Sequence, residues 1–243
     1  MVITSKSNPL IKEIYSLNDK KFRREKGLYL VEGVKPVNEC AAAGVEIVKT
    51  VCTQALSENY PEAVVVSDSV FSYISAEKTP QGVIAVVKIP ENAIKSPEKS
   101  CILLDRIQDP GNLGTIIRTA NAAGYSEIYL INCTDAYSPK AVRASMSGIF
   151  FVNIYSGNQT EILSALGGVP LLCADMDGED IFAFTPPEKF CLCIGNEGGG
   201  ISQEIFEKAD YKIKIPMSGT CESLNAAVSA GIAMYQLKYS FRG

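Results

Sequence analysis

The sequence predicts an α/β protein in two parts: a mostly parallel sheet with helices on both faces in the C-terminal part, and a smaller α/β unit before it. Three observations predict this. From Cys101 onward, short apolar runs alternate with helical or turn stretches, the signature of βα units. CILLD at Cys101–Asp105 is nearly all apolar, as expected for a strand buried on both faces. PENAIKSPEKS, Pro90–Ser100, has two prolines, mixed charge and little apolar content, and so reads as a linker. The expected domains are therefore residues 1–90 and 101–243, joined by 91–100.

In chain order, residues 1–20 carry Ile11, Ile14, Tyr15 and Leu17 on helical spacing, with Pro9 near the start. LYLVEG (Leu28–Gly33) reads as a strand, followed by a helix through Val37–Ala43 that stops at Gly44. VEIVKTVC, AVVVS and QGVIAVVKI read as further strands. Beyond the linker, CILLD leads into a helix over 111–123, then EIYLIN, FFVNIY, VPLLCAD and FCLCIG as strands. Ser223–Tyr239 is apolar or small nearly all round, so a helix there must be covered on all sides. In a chain of 243 residues a partner subunit is a reasonable cover.

Composition narrows the chemistry. There is no histidine, which removes His-based triads, His metal sites and imidazole acid–base pairs. There is no tryptophan either, so stacking on a base falls to Tyr, Phe or Arg. The eight cysteines include no CxxC pair, and Cys191 and Cys193 lie inside an apolar run, on one face of a strand. They read as core packing in a reducing compartment, and no metal is expected. The N-terminus lacks an apolar signal region, and no run is long enough for a membrane span, so a cytoplasmic protein is expected.

Net charge is −4, yet residues 1–40 carry eight Lys/Arg against five acids, a net +3. KKFRREK at Lys20–Lys26 concentrates five basic residues in seven. Such a run is either a solvated face or a nucleic-acid contact through Lys20, Lys21, Arg23 and Arg24.

Three segments carry chemistry. In DRIQDPGNLGTIIRTANAAG, Asp105–Gly124, a buried strand runs into a helix bearing Asn112 and Arg118. They fit a cap plus a surface arginine, or a pair of ligand-holding groups on neighbouring turns. In CLCIGNEGGGIS, a strand runs into Gly195, Asn196, Glu197, Gly198, Gly199 and Gly200, which is either a tight turn or a loop that lets backbone N–H groups approach a ligand. Neither GxGxxG nor GK[ST] is present, which disfavours NAD and triphosphates. In IPMSGTCESLNAAVSAGIAMY, Ser223 is a sound N-cap, while Asn225 opens an apolar helix and a buried amide there needs partners.

Together, in this order and spacing, the three segments resemble the motifs of the SpoU (TrmH-like) family of RNA ribose 2′-O-methyltransferases, over roughly Cys101–Lys238. The stretch from SNPLIKEIYSL through KKFRREKGLYLVEGVKPVNEC looks like the substrate-binding domain that many members carry. The resemblance implies a C-terminal trefoil knot, a homodimer, S-adenosylmethionine as cofactor and RNA, foremost ribosomal RNA, as substrate. It implies catalytic roles for Arg118, Asn112, Glu197, Ser223 and Asn225, and cofactor contacts at Gly195, Gly199, Ile215, Met217 and Leu224. The family's usual mechanism gives the arginine a base-like role. A guanidinium with a pKa above about 12 more comfortably clamps a phosphate and lowers the pKa of the 2′-OH. Rival readings are a tRNA 2′-O-methyltransferase, a non-catalytic RNA-binding or ribosome-assembly factor on the same fold and, more weakly, a dinucleotide-dependent oxidoreductase.

Overall fold

The computed structural model describes residues 2–196, 198–220 and 223–240. By their contacts, Met1–Glu91 and Asp135–Phe150 form one compact unit, and Asn92–Thr134 with Phe151–Gly243 forms the other.

The first unit opens with α1 (Pro9–Ser16), which starts where Asn8 Oδ1 accepts from Leu10 N–H and which buries Ile11 and Ile14. The sequence reads one helix to residue 20. The structure instead ends it at Ser16 and starts α2 (Lys20–Lys26), because Asp19 caps the second helix. Gly27, at φ 64°, ends α2. Then come β1 (Leu28–Glu32), α3 (Val34–Ala42), β2 (Ile47–Thr53), β3 (Val64–Val66), α4 (Asp68–Ile74) and β4 (Val83–Lys88). The sheet order is β1-β4-β2-β3, with β4 antiparallel to both neighbours and β2 parallel to β3. Ile11, Ile14 and Leu17 pack with Val51, Phe71 and Ile84 in its core. Each such side chain stabilises the unit by about 1.5–3 kcal/mol relative to exposure.

The rest of the chain contributes β5 (Cys101–Asp105), α5 (Pro110–Ala123), β6 (Glu127–Ile131), α6 (Pro139–Ala144), β7 (Asn153–Gly157), α7 (Gln159–Ala165), β8 (Leu171–Asp180), β9 (Cys191–Ile194), α8 (Gln203–Phe206), β10 (Tyr211–Lys214) and α9 (Ala226–Tyr239). The sheet runs β10-β8-β9-β5-β6-β7, and every pairing in it is parallel. Cys101, Cys173, Cys191 and Cys193 sit together in its core with Leu103 and Tyr129. Burial pushes the Cys40 thiol up to about 11 and the Cys133 thiol up to about 12, so neither is a thiolate at neutral pH.

Three expectations change. Residues 92–100 are not a free linker. Tyr129 Oη donates to the Lys95 carbonyl at 2.7 Å, Lys189 Nζ to that of Pro97 at 2.6 Å, and Glu98 N–H to Glu127 Oε2 at 2.9 Å. The segment is fastened to the second unit because its polar groups find fixed partners. Asp135–Phe150, assigned from sequence to the C-terminal domain, belongs by contact to the first unit: Tyr137 stacks tilted on Tyr29 and α6 packs on β1. The strand expected at FFVNIY begins only at Asn153, because Phe150 and Phe151 lie in a short 3₁₀ turn, Gly148–Phe151.

Candidate active site

β5 and β9 lie side by side where the strand order turns back on itself. In open parallel sheets, the carboxyl ends of strands at such a switch point form a ligand crevice. β5 ends on Asp105, which is only 2% exposed. Its Oδ2 accepts from Ser202 N–H at 2.6 Å and from Arg106 Nε at 3.3 Å. Arg106 adopts φ 58°, uncommon for a side-chain-bearing residue. Its carbonyl accepts from Asn196 Nδ2 at 3.0 Å, and its Nη2 donates to the Gly200 carbonyl at 3.3 Å. Asp105, Arg106 and Asn196 therefore hold the glycine loop in place. Sequence reasoning missed this role, although a carboxylate ending a strand buried on both faces was the available signal.

The glycine loop closes on itself. Asn196 N–H donates to the Gly200 carbonyl at 3.0 Å and Gly200 N–H returns to Asn196 at 2.8 Å. A Cβ at Gly195 would stand 2.2 Å from the Gly200 carbonyl carbon and oxygen, closer than any real contact. The glycine at 195 is thus required by backbone against backbone. Gly199 faces open space apart from Arg106 Nη2, 3.9 Å from its notional Cβ.

Beside the loop lies a cavity of about 350 Å³. Its walls include Ile194, Ile213, Leu224 and Ala226, with Asp175, Ser223 and Ser229 as polar points. Of the residues expected to contact the cofactor, Gly195, Ile215, Met217 and Leu224 line this cavity and Gly199 does not. Aliphatic walls, loop backbone and few side-chain polar groups suit an aromatic heterocycle carrying a ribose, so the residues fit an adenosine-containing cofactor. Among the described residues, no cluster of three or more His, Cys, Asp or Glu is placed to hold a metal ion.

Two helix starts carry the remaining motif residues. α5 is capped by Asp109, whose Oδ1 accepts from Asn112 N–H at 2.9 Å, and Pro110 takes the first helical position. The cap is thus Asp109 and not Asn112. α9 begins at Ala226, not Ser223, and Asn225 is its cap, accepting from Ala227 and Val228 N–H. The Asn225 amide then donates from Nδ2 to Asn112 Oδ1 at 3.0 Å. Ser223 is exposed and lines the cavity, two residues before that cap. Arg118 is exposed on α5 and has no hydrogen-bond or ion-pair partner among the described residues. Glu197 lies outside the described residues.

The structure thus brings Asn112, Asn225 and the α5 helix of Arg118 together, and brings Ser223 to the cavity beside the glycine loop. It does not keep the basic cluster whole. Lys20, Lys21 and Arg24 are exposed on α2, but Arg23 is only 3% exposed. Its Nε and Nη2 donate to Asp135 Oδ2 at 2.9 and 2.6 Å, and its Nη1 donates to the Leu17 carbonyl at 2.7 Å. Arg23 is therefore an internal tie and not an RNA contact. A charge run on a short helix puts one residue inward, and the run itself does not say which.

Residues 99–235 match the SpoU rRNA Methylase family, and residues 8–85 match the MRM3-like substrate binding domain. This chain belongs to the SpoU rRNA methylase family. It is accordingly an S-adenosylmethionine-dependent RNA 2′-O-methyltransferase. It is 33% identical over 246 residues to the 23S rRNA (guanosine(2553)-2′-O)-methyltransferase RlmP of Bacillus subtilis, covering 97% of this chain and 98% of that one. The AdoMet-bound rRNA methyltransferase structure from Sinorhizobium meliloti is 30% identical and superposes with a TM-score of 0.89, covering 99% of this chain and 98% of that one. The SpoU methyltransferase AviRb from Streptomyces viridochromogenes, in complex with the cofactor AdoMet, is 26% identical with a TM-score of 0.85, covering 96% and 98%.

Proposed function

We propose that this SpoU methyltransferase modifies a ribose 2′-OH of 23S-type ribosomal RNA, with Arg118, Asn112, Asn225, Ser223 and Glu197 as its working residues. The observation that carries the assignment is the Asn225–Asn112 hydrogen bond, which ties the helix of Arg118 to the segment that walls the cofactor cavity. S-adenosylmethionine, when bound, supplies a methyl group already activated for displacement. The protein then has to orient a hydroxyl and handle its proton. Gly195, Ile215, Met217 and Leu224 hold the adenosine, and Ser223 with the asparagine pair fixes the ribose that accepts the methyl group. Arg118, exposed and without a hydrogen-bond or ion-pair partner among the described residues, clamps a phosphate of the RNA, and the field of its guanidinium lowers the 2′-OH pKa. Glu197 orients the guanidinium or the hydroxyl in this reading. Lys20, Lys21 and Arg24 contact the RNA backbone.

Homodimer formation is part of the proposal. α9 packs on α5 and β9 through Ala227, Ala230, Met234 and Leu237, while Val228, Tyr235 and Tyr239 stay 50%, 43% and 39% exposed along its other side. Such an apolar stripe is the expected seat of a second copy. The family's trefoil knot and a cytoplasmic setting complete the reading. The test is methyl transfer from radiolabelled S-adenosylmethionine to ribosomal RNA lacking ribose modifications, followed by mapping of the 2′-O-methyl position. Label appearing in ribosomal RNA at one ribose supports the reading. Label only in tRNA, or none in any RNA, refutes it.

A further inference from the structure

The first unit holds a second cavity, of about 300 Å³, between the end of β1, the loop before β4 and the segment around α6. None of the site residues discussed above lines it. Ser147 is among its lining residues. This serine is 6% exposed, and its Oγ is buried with no hydrogen-bond partner among the described residues. Buried hydroxyls in folded proteins nearly always have a partner, so an unpaired one in a residue that lines a cavity points to a ligand that completes it. The backbone is bent to hold it there: Met146 and Ser147 both lie at positive φ, 46° and 67°. Consecutive strained residues of this kind cluster at binding and catalytic sites.

The remaining walls narrow the ligand. Val142 and Phe150 offer apolar surface for a flat ring. The Glu32 carboxylate is fixed in place, accepting from Ser75 Oγ at 2.5 Å and from Ala76 N–H at 3.2 Å. Burial raises its pKa above the usual range. Arg143, which also lines the cavity, is already paired with Glu77. Three carboxylates (Glu32, Glu39 and Glu77) against two cations (Lys35 and Arg143) make this a poor anion site. A pre-set carboxylate acceptor, a free hydroxyl and an apolar wall in a space of this size suit a planar heterocycle with two adjacent N–H donors. Among nucleobases only guanine, through N1–H and the exocyclic amine, offers that pair to one carboxylate.

We propose that this cavity receives a guanine of the RNA, splayed out of its stack, at a nucleotide other than the one methylated. The proposal rests on the RNA-methyltransferase reading for its ligand's source. Sequence-specific RNA recognition works in this way, by reading the edges of unstacked bases. Glu32 takes the two donors, Ser147 Oγ pairs with a remaining ring or carbonyl position, and Phe150 with Val142 covers the ring.

The test uses the full-length protein with S-adenosylhomocysteine saturating the cofactor cavity, and titrates guanosine, adenosine, cytidine and uridine 5′-monophosphates by calorimetry or NMR. The wild type is expected to bind the guanosine nucleotide at least about fivefold more tightly than the others. Ser147→Gly removes the hydroxyl at a φ that glycine adopts without strain, so folding is preserved. It should weaken the guanosine nucleotide about fivefold, and Glu32→Gln should abolish the preference among bases. In methyl-transfer assays both variants should raise KM for ribosomal RNA severalfold while leaving kcat and cofactor affinity unchanged. Equal binding of all four nucleotides, no binding at millimolar concentration, or wild-type behaviour of both variants overturns the proposal. If the wild type methylates ribosomal RNA and neither variant changes KM, the cavity assignment fails and the enzymatic reading stands. If the wild type methylates no RNA, the enzymatic reading fails, and the nucleotide titration still decides the cavity.

Discussion

Asn225 and Asn112, 113 residues apart in the chain, are joined by a 3.0 Å hydrogen bond from one side-chain amide to the other. The same Asn225 side chain caps α9 through its oxygen, so a single residue both starts a helix and ties it to α5. The two roles are separable. Asn225→Ala loses both and should destabilise the protein by about 1 kcal/mol through the lost cap. Asn225→Ser keeps a capping oxygen but is too short to reach Asn112, so stability should stay within about 0.5 kcal/mol of wild type. If the link serves catalysis, both variants lose methyl transfer to a similar extent. Thermal unfolding together with turnover on ribosomal RNA checks this, and a fully active serine variant would show the bond to be structural only.

Arg118 stands on the exposed face of α5 and does not line the cofactor cavity. Arg118→Ala should therefore lower kcat by at least about 100-fold, the usual loss when one preorganised charged donor is removed. S-adenosylmethionine affinity should stay within a few-fold. Arg118→Lys keeps the charge without the planar fork and should recover only part of the rate. Single-turnover methyl transfer and calorimetric cofactor titration separate the two effects. Near-normal turnover in the alanine variant would remove Arg118 from the catalytic set.

Gly195 and Gly199, equivalent in the sequence, are not equivalent in the structure. A methyl group at 195 meets the Gly200 backbone at 2.2 Å, so Gly195→Ala forces the loop open. Cofactor affinity should fall by more than tenfold as the cavity wall shifts. Gly199→Ala meets only Arg106 Nη2, at 3.9 Å, and should bind the cofactor within about twofold of wild type. Equal losses in the two variants would contradict the loop geometry.

The contrast shows where sequence reasoning reached and where it stopped. β1 and β5 follow their apolar runs almost to the residue, because burial on a pleated sheet imposes its own pattern. Asn112, Ser223 and Asn225 stand out in the sequence as polar groups near the start of apolar helices, and only the family resemblance attaches a role to them. Which asparagine caps and which bonds across the site depends on the packing of α9 against α5, a contact between distant parts of the chain. Asp105 and Arg106 went unnoticed for the same reason: their partners, Ser202 and Gly200, are more than 90 residues away. The attachment of Asp135–Phe150 to the first unit was hidden too, since it rests on pairs such as Arg23–Asp135 and Tyr29–Tyr137.

That last ion pair gives a prediction about the basic helix. Arg23 and Asp135 are both largely buried, with side-chain exposures of 4% and 14%. Removing one partner of a buried pair leaves the other charged and desolvated, so Arg23→Ala should cost about 3 kcal/mol of stability. Lys20→Ala, Lys21→Ala and Arg24→Ala remove solvated side chains and should each stay within about 0.5 kcal/mol. RNA binding should follow the opposite order. The triple variant at 20, 21 and 24 should weaken RNA and flatten the salt dependence, each lost phosphate contact removing about 0.7–0.9 from the log–log slope. Arg23→Ala, measured below its unfolding temperature, should leave that slope unchanged, because its guanidinium is already committed to Asp135 and the Leu17 carbonyl. Filter binding across a salt series, paired with denaturant unfolding, decides the matter. A reduced slope in the Arg23 variant, or an unchanged one in the triple variant, would show that α2 meets RNA through a different set of side chains.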